Sequence, residues 1–302
     1  MQARISSVSI EAYQLKGKFM KLQRIQNVQE PVHKKHKSKK KSKKSFLWIK
    51  SLLITMLLST TLVYGALSPF FNIKSVYVKD TAVHYDSQTL ISDSGISPGV
   101  NGFRLLFHNP GKFYFLRVGS AERMILESCP YVKSVKARFV LPSSVSIEVK
   151  EREAAAVLVT DGTSLLIDME EVLLEVGSDM KKLNLPVIKV KRPDVLKPGK
   201  KLVLQENQLS MAFKVYDAIK EVDSQDPNKL LPDVDYVDVS DPDKIGFSLQ
   251  SRVIVHLRGL DDLVYEINAV KTVFSKNIKK DERGKLDFKS DGSPVFSPEN
   301  GG

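Results

Sequence analysis

Five aspartates within eleven positions, Asp233, Asp235, Asp238, Asp241 and Asp243, form the densest set of metal-capable side chains in the sequence. Such a run could hold calcium, which takes oxygen ligands from fixed places of a loop. The spacing does not fit. Counting from Asp233, the fifth place is Val237 and the sixth is Asp238, where glycine must turn the loop; the twelfth carries no glutamate. These acids read as the outward face and loop of two adjoining strands. Asp168, Glu170 and Glu171 lie close together, but nothing marks an acid/base pair with separated pKa values. His84, His108 and His256 are widely spaced, and His33 and His36 sit in a basic tail, so the histidines read as surface or structural groups. Cys129 is the single cysteine, which excludes an intrachain disulfide and a cysteine-built metal cluster. The region beyond residue 68 carries no phosphate loop or dinucleotide loop. No catalytic constellation, cofactor, metal or small-molecule substrate is expected. The residue types favour a binding module over an enzyme.

What positions such a module is set at the N-terminal side. Residues 1–50 hold 14 Lys and Arg against 2 acids, whereas the rest holds 32 against 33. The net charge of +11 is thus a property of the tail. The lysine run 33–44 contains no interleaved aromatics for base stacking, so nucleic acid is not an expected partner. From 51 to 73 there is no charged residue, and an apolar stretch of about 20 residues can cross a bilayer. Lysines on its N-terminal side place that end in the cytoplasm. Trp48 and Tyr64 suit the two interfaces, and Lys50 can snorkel to the inner one. The segment starts too late and runs too long for a cleaved signal peptide, so it reads as a permanent tether. Ser51, Thr55 and Ser59 recur every four residues on one face, a pattern that admits a neighbouring membrane helix. Phe19, Leu22, Ile25 and Val28 suggest a short amphipathic surface helix upstream.

The outer region predicts α+β structure. A strand at 72–79 is followed by a helix at 86–94 that Asp86 caps and Gly95 stops. A second helix at 120–128 is expected to bury Met124 and Leu126. Two alternating strands follow, with Val135, Ala137 and Phe139 on one face of the first and Val145, Ile147 and Val149 on one face of the second. This is a β-α-α-β-β unit. Beyond Glu151 the pattern becomes strand-rich. Asp161-Gly162 signals a hairpin, and strands are expected around 172–176, 186–190, 236–239, 245–249 and 252–257. A helix at 205–222 carries Leu209, Phe213, Tyr216 and Ile219 or Lys220 along one stripe; a second at 261–276 is capped by Asp261 and carries Leu263, Ile267, Val270 and Phe274. A last strand is expected at 285–289, followed by a tail.

The stretch PYVKSVKARFVLPSSVSIEVKEREAAAVL resembles the FtsQ/DivIB family of bacterial cell-division proteins. Pro130 closes a helix, and Pro142, Val145, Ile147 and Val149 match the family's "P-x-x-[LV]-x-I-x-V" strand. Glu151, Arg152 and Ala155 or Ala156 match "E-R-x-P-x-A", with Ala154 where proline is usual. Leu166-Ile167-Asp168 and the nearby apolar pair Val172-Leu173 are similar to the family's L-I-D turn and the strand after it, with Glu171 in place of the turn glycine. Leu185-Pro186-Val187-Ile188 is similar to "L-P-x-[LI]". Gly259, the helix after it and Leu286-Asp287-Phe288-Lys289 are similar to "G … helix … [IV]-D-[LV]-R". The matches keep their order along nearly the whole chain.

The resemblance implies a cytoplasmic tail at 1–45, a membrane helix at 46–68, a POTRA domain at 69–150, the family's β domain at 151–290 and a C-terminal tail at 291–302. It implies a non-catalytic scaffold of the division machinery at the septum of the inner membrane, single-pass, with its domains outside the cytoplasm. Relatives bridge early division proteins to septal peptidoglycan synthesis; their β domain binds FtsB and FtsL, and their POTRA domain is tied to other membrane division proteins. Independently, the last strand 285–289 could present an open edge to an extended peptide, with Leu286, Phe288, Val295 and Phe296 as anchors. Two further readings are an envelope export or assembly module, since POTRA domains occur there, and a membrane-anchored cell-wall enzyme. The first lacks room for a POTRA array and barrel; the second lacks a catalytic constellation.

Overall fold

The structure, a computed structural model, describes residues 43–299 apart from 80, 81, 108, 109, 178, 179, 181, 182 and 206. The basic run before residue 43 and the amphipathic helix expected at 19–28 lie outside the described residues.

Helix α1, Lys43–Ala66, is 24 residues long, or about 36 Å at 1.5 Å per residue. Its stretch Leu47–Ala66 is long and apolar enough to cross a membrane. Leu52, Leu53, Ile54, Leu57, Leu58 and Leu62 are all exposed, which suits lipid and would be costly in water. Thr55 donates its hydroxyl to the Ser51 and Leu52 carbonyls at 3.0 and 2.9 Å, and Ser59 donates to Met56 O at 2.9 Å. These hydroxyls are satisfied within the helix. What the face offers a neighbour is small size rather than a free donor.

After α1 the chain is mixed α+β. The first layer is a three-stranded sheet of β1 (Ser75–Val78), β2 (Val132–Val140) and β3 (Ser144–Glu151), in the order β1-β3-β2. β2 and β3 form a hairpin, and β3 runs parallel to β1. A parallel pair needs a crossover. Here it contains α2 (Ser87–Asp93), α3 (Gly102–Phe107), a 3-10 turn Pro110–Phe115 and α4 (Gly119–Ser128). Asp86 caps α2 as expected, its carboxylate accepting Thr89 N at 2.8 Å. Val135, Ala137 and Phe139 are buried, as their alternation requires.

The apolar stretch Gly102–Phe107 is helical. One expectation needs correction in this layer. Met124 and Leu126 were expected inside, yet both are exposed. The buried stripe of α4 is Val118, Ala121, Glu122, Ile125 and Cys129, at spacings of three and four. Glu122 misleads the pattern because it is charged and inside. Arg117 Nε and Nη2 meet its two carboxylate oxygens at 2.6 and 2.8 Å, and Ala137 N donates to it at 3.1 Å. Cys129, buried beside Asp93, has its thiol pKa pushed up to about 12 by burial first and then by the Asp93 carboxylate, so it stays protonated.

The second layer is a nine-stranded sheet. Its strands are β4 (Ala154–Thr160), β5 (Thr163–Asp168), β6 (Leu173–Gly177), β7 (Val187–Lys189), β8 (Val234–Asp238), β9 (Gly246–Leu249), β10 (Val253–His256), β11 (Gly284–Phe288) and β12 (Pro294–Pro298). The order across the sheet is β12-β11-β10-β9-β8-β7-β4-β5-β6. Asp161 and Gly162 turn β4 into β5 with φ of 41° and 79°, the left-handed pair that the Asp-Gly signal predicts. Two helices lie between parallel neighbours: α5 (Gln208–Ser224) crosses from β7 to β8, and α6 (Leu263–Lys276) from β10 to β11. Leu209, Val215 and Ile219 from α5 meet Leu263, Ile267 and Val270 from α6 over Val237, Phe247, Val255 and Leu286 of the sheet. A core side chain of this size contributes about 1.5–3 kcal/mol on burial. A smaller cluster, Val157, Leu166, Leu174 and Met180, fills the opposite face near β4 to β6, with Tyr131 packed against it.

Helix α6 starts later than expected. Its cap is Asp262, not Asp261, and makes no side-chain cap bond; the Glu266 carboxylate is engaged by Arg258 N and Nε at 3.2 and 2.8 Å.

The family-like Glu151 and Arg152 bridge outward from the end of β3. Glu151 accepts from Val83 N at 3.0 Å, His84 N at 3.1 Å and the His84 ring at 3.0 Å. Burial works to raise its pKa, but the His84 ring and these amides outweigh it and hold the carboxyl below its usual range. Arg152 donates to Asp168 at 2.6 Å and Glu170 at 3.0 Å. Asp168 in turn accepts from Glu170 N and Val172 N, both at 2.9 Å. Glu171, standing where the family pattern has glycine, adopts φ of 65°. The left-handed turn is thus kept at a side chain's expense. Glu171→Gly is expected to stabilise the protein by about 1 kcal/mol, since only glycine enters that region freely. A urea midpoint that falls instead would show that the Glu171–Lys201 ion pair at 3.1 Å outweighs the strain.

Candidate partner-binding edge

The sheet's last strand is not the one expected. β11 is interior, because β12 pairs antiparallel along its whole length. The open edge therefore passes from 285–289 to Pro294–Pro298, within the segment expected as a tail. The turn between them is built locally. Asp291 accepts the Ser293 hydroxyl and amide at 2.6 and 2.9 Å, which lowers its carboxyl pKa, and Gly292 takes φ of 85°. Gly284 makes the pairing possible at the far end: a Cβ there would lie 2.2 Å from Ser297 O.

Leu286, Phe288, Val295 and Phe296 do come together on these two strands, but on two faces. Leu286 pairs with Phe296 and points into the core, where Leu286 is fully buried. Phe288 and Phe296 are partly buried against the same core, and the Arg258 guanidinium lies 6.0 Å from the Phe288 ring centre. Val295 pairs with Asp287 on the opposite face. Leu286 can support the edge but cannot touch a partner; Val295 and Phe296 belong to the outermost strand.

The backbone of that strand has a specific outer rim. Lys289 N donates to Ser293 O at 3.0 Å and Glu299 N to Arg283 O at 2.8 Å. Antiparallel pairing alternates, so Ser293, Val295, Ser297 and Glu299 spend their backbone groups on β11. Pro294, Phe296 and Pro298 then face away. Two of these three lack an N–H, so the rim offers three carbonyls and one amide, that of Phe296.

Beside the rim, the sheet face away from the helices carries a row in register: Tyr236, Ser248, Ile254, Lys285 and Ser297. With Arg252, Arg283 and Glu299 this row lines a shallow groove of about 500 Å³. Its charge is mostly positive. Arg252 is fixed by the Lys279 and Glu282 carbonyls at 2.9 and 3.1 Å and sits 4.6 Å from the Phe274 ring centre. His256 Nδ1 meets Asp287 at 2.7 Å on the same face.

The acidic run is spread through local structure. Asp235 accepts Ser248 and Ser251, Asp238 holds Lys189 and Ser240, and Asp241 accepts Asp243 N. Among the described residues no group of three His, Cys, Asp or Glu is arranged to hold a metal ion.

Sequence reasoning missed β12. The signal was present: Asp291-Gly292 sits between LDF and PVFSP, as Asp161-Gly162 sits between β4 and β5.

No protein-family model matches the sequence. Curated relatives do. The chain is 26% identical over 230 residues to the cell division protein DivIB of Clostridium acetobutylicum, covering 76% of this chain and 84% of that protein. It is 24% identical over 252 residues to the DivIB of Clostridium botulinum strain Hall, covering 83% and 88%. A second C. botulinum DivIB, of strain Loch Maree, is 24% identical over 257 residues.

Proposed function

We propose a scaffold role in division for this chain, which is a member of the FtsQ/DivIB family of bacterial cell-division proteins. It is tethered to the cytoplasmic membrane by α1, N-terminus inside, and works outside at the division septum. There it links division proteins to septal peptidoglycan synthesis without catalysing a reaction. The three-stranded layer with its helices is its POTRA domain and the nine-stranded layer its β domain. The observation that carries this reading is the uncovered rim of β12. A sheet edge with outward carbonyls and one outward amide accepts an extended segment by backbone hydrogen bonds. The partner is a segment of FtsB or FtsL type, and the positive groove under the rim favours acidic side chains on it. Ser51, Thr55 and Ser59 give α1 a face for a neighbouring membrane helix.

The test uses the full chain in lipid nanodiscs and an FtsB-type partner. Phe296→Pro removes the single outward amide without touching a bond to β11. It is expected to weaken partner binding at least tenfold, about 1.4 kcal/mol, the scale of one or two backbone hydrogen bonds. Phe296→Leu keeps the amide and should bind nearly as wild type, which separates the hydrogen bond from the ring. Unchanged affinity in a folded Phe296→Pro protein would sink the β12 reading. A fluorescent fusion that stays uniform around the envelope through the cell cycle would count against the septal role itself.

A further inference from the structure

Four exposed aromatic side chains of the first layer, Phe70, Phe107, Tyr114 and Phe115, lie just after α1 or on α3 and the turn that follows it. Asn101 donates its side-chain amide to the Ala66 and Ser68 carbonyls at 3.1 and 3.0 Å. Backbone bonds add to this tie, from Ile73 N to Val100 O at 2.9 Å and from Gly99 N to Ile73 O at 2.8 Å. Helix α3 therefore begins within hydrogen-bond reach of the last residues of the span. Phe107, six residues past Asn101, lies about 9 Å along that helix.

The rings form two sets of contacts. Phe71 meets Phe70 and Phe103 edge-on at 5.1 and 5.0 Å, and Phe103 meets the buried Phe139 at 5.5 Å. Phe107 follows Phe103 by one helical turn and stacks on Phe113 at 5.5 Å; Phe113 meets Tyr114 at 6.3 Å. The inner members pack on the core. The outer ones are bare: Phe70 is 64% exposed, Phe107 54%, Phe115 69% and Tyr114 90%. A cluster of this kind marks a surface that is covered in use.

We infer that α3 and the turn Pro110–Phe115 sit in the outer headgroup layer of the membrane that α1 crosses, with Phe107, Tyr114 and Phe115 inserted among the lipids. The occupant is named by continuity. The cluster is clipped to the residues that emerge from the bilayer, whose headgroup layer is roughly 5–7 Å deep on each side. Amphipathic rings partition to that layer, and apolar faces bury there by 5–10 Å. The inference rests on reading α1 as a span. Its consequence is that the first layer is held down on the membrane at a second point.

The test reconstitutes the full chain into phosphatidylcholine bilayers with ordinary or dibrominated acyl chains. Trp48 is the single tryptophan and reports on the span. Two further proteins carry Trp48→Phe with either Phe107→Trp or Tyr114→Trp, both at exposed sites, with folding checked by circular dichroism. Brominated chains should quench Trp48 in the parent, and should also quench the indole introduced at either new position and leave its emission blue-shifted. If Trp48 is quenched while both new indoles emit as in water, the inference is overturned and the span stands. If Trp48 is not quenched, both fall. A blue shift without quenching would mean that protein, such as a second copy, covers the cluster, which also overturns it.

Discussion

Asp223→Ala is expected to cost the protein about 3–5 kcal/mol, the penalty for leaving a buried charge unpaired. Asp223 and Lys271 are both buried where α5 and α6 meet the loop before β8. One carboxylate gathers Leu230 N at 2.8 and 2.9 Å, Leu231 N at 2.8 Å and Lys271 Nζ at 3.0 Å, while Lys229 donates to the Asp223 backbone carbonyl. Without the carboxylate, two amides and an ammonium lose their acceptor at once. Asp226, 3.5 Å from Lys271 and half exposed, cannot replace it. In a thermal melt the midpoint should fall on the order of 10 °C. A loss under about 1 kcal/mol would show that water enters the site freely.

The same group sets an acid limit. Burial works to raise the Asp223 pKa, but the Leu230 and Leu231 amides and Lys271 outweigh it, and the folded value lies below the usual one. A carboxyl depressed in the folded state stabilises it fully above the unfolded pKa, about 3.9, and loses that contribution as pH falls through the folded value. Asp223→Asn should flatten this part of the stability curve below pH 4 and leave the neutral part parallel. An unchanged acid limb would assign the loss to other carboxylates.

Glu122→Ala is the second large effect, about 3 kcal/mol. It takes the carboxylate away from the Arg117 guanidinium, which keeps the Val135 carbonyl at 3.3 Å, and from the Ala137 amide inside the first layer. Arg117 is a quarter exposed and can recover some water, which keeps the cost near the lower end of the range. The comparison that matters is with its neighbours on α4. Met124→Ala and Leu126→Ala, both at exposed sites, should each change stability by less than about 0.5 kcal/mol. Equal losses at Met124 and Glu122 in chemical denaturation would put the helix on the wrong face.

These residues also show where sequence reading succeeds and where it stops. Alternating apolar positions in β2 and β3, the Asp86 cap and the Asp161-Gly162 hairpin were legible because each is a local rule with one outcome. The orientation of α4 was not, since a buried glutamate paired through Arg117 looks on paper like a surface residue. The short helix α3 was hidden by its length and by the turns around it. The edge was misplaced for a different reason. Whether a strand is last in a sheet depends on the residues C-terminal to it, and PVFSP, bounded by prolines, reads as a tail until it is seen against β11. Of the anchors, Leu286 was legible as apolar but not as core, because face assignment needs the register.

The two prolines of β12 have a further effect on chains confined to a surface. Proteins held in a plane meet edge to edge far more often than they would in free solution, and an exposed sheet edge invites polymerisation. Bring two copies together antiparallel about Phe296, and Pro294 of one faces Pro298 of the other, carbonyl against carbonyl with no donor between them. Only the central pair of bonds can form. A partner strand with ordinary residues at those places donates its own amides to the two proline carbonyls. The rim can therefore be crowded without zipping onto itself, and it stays open for a different chain.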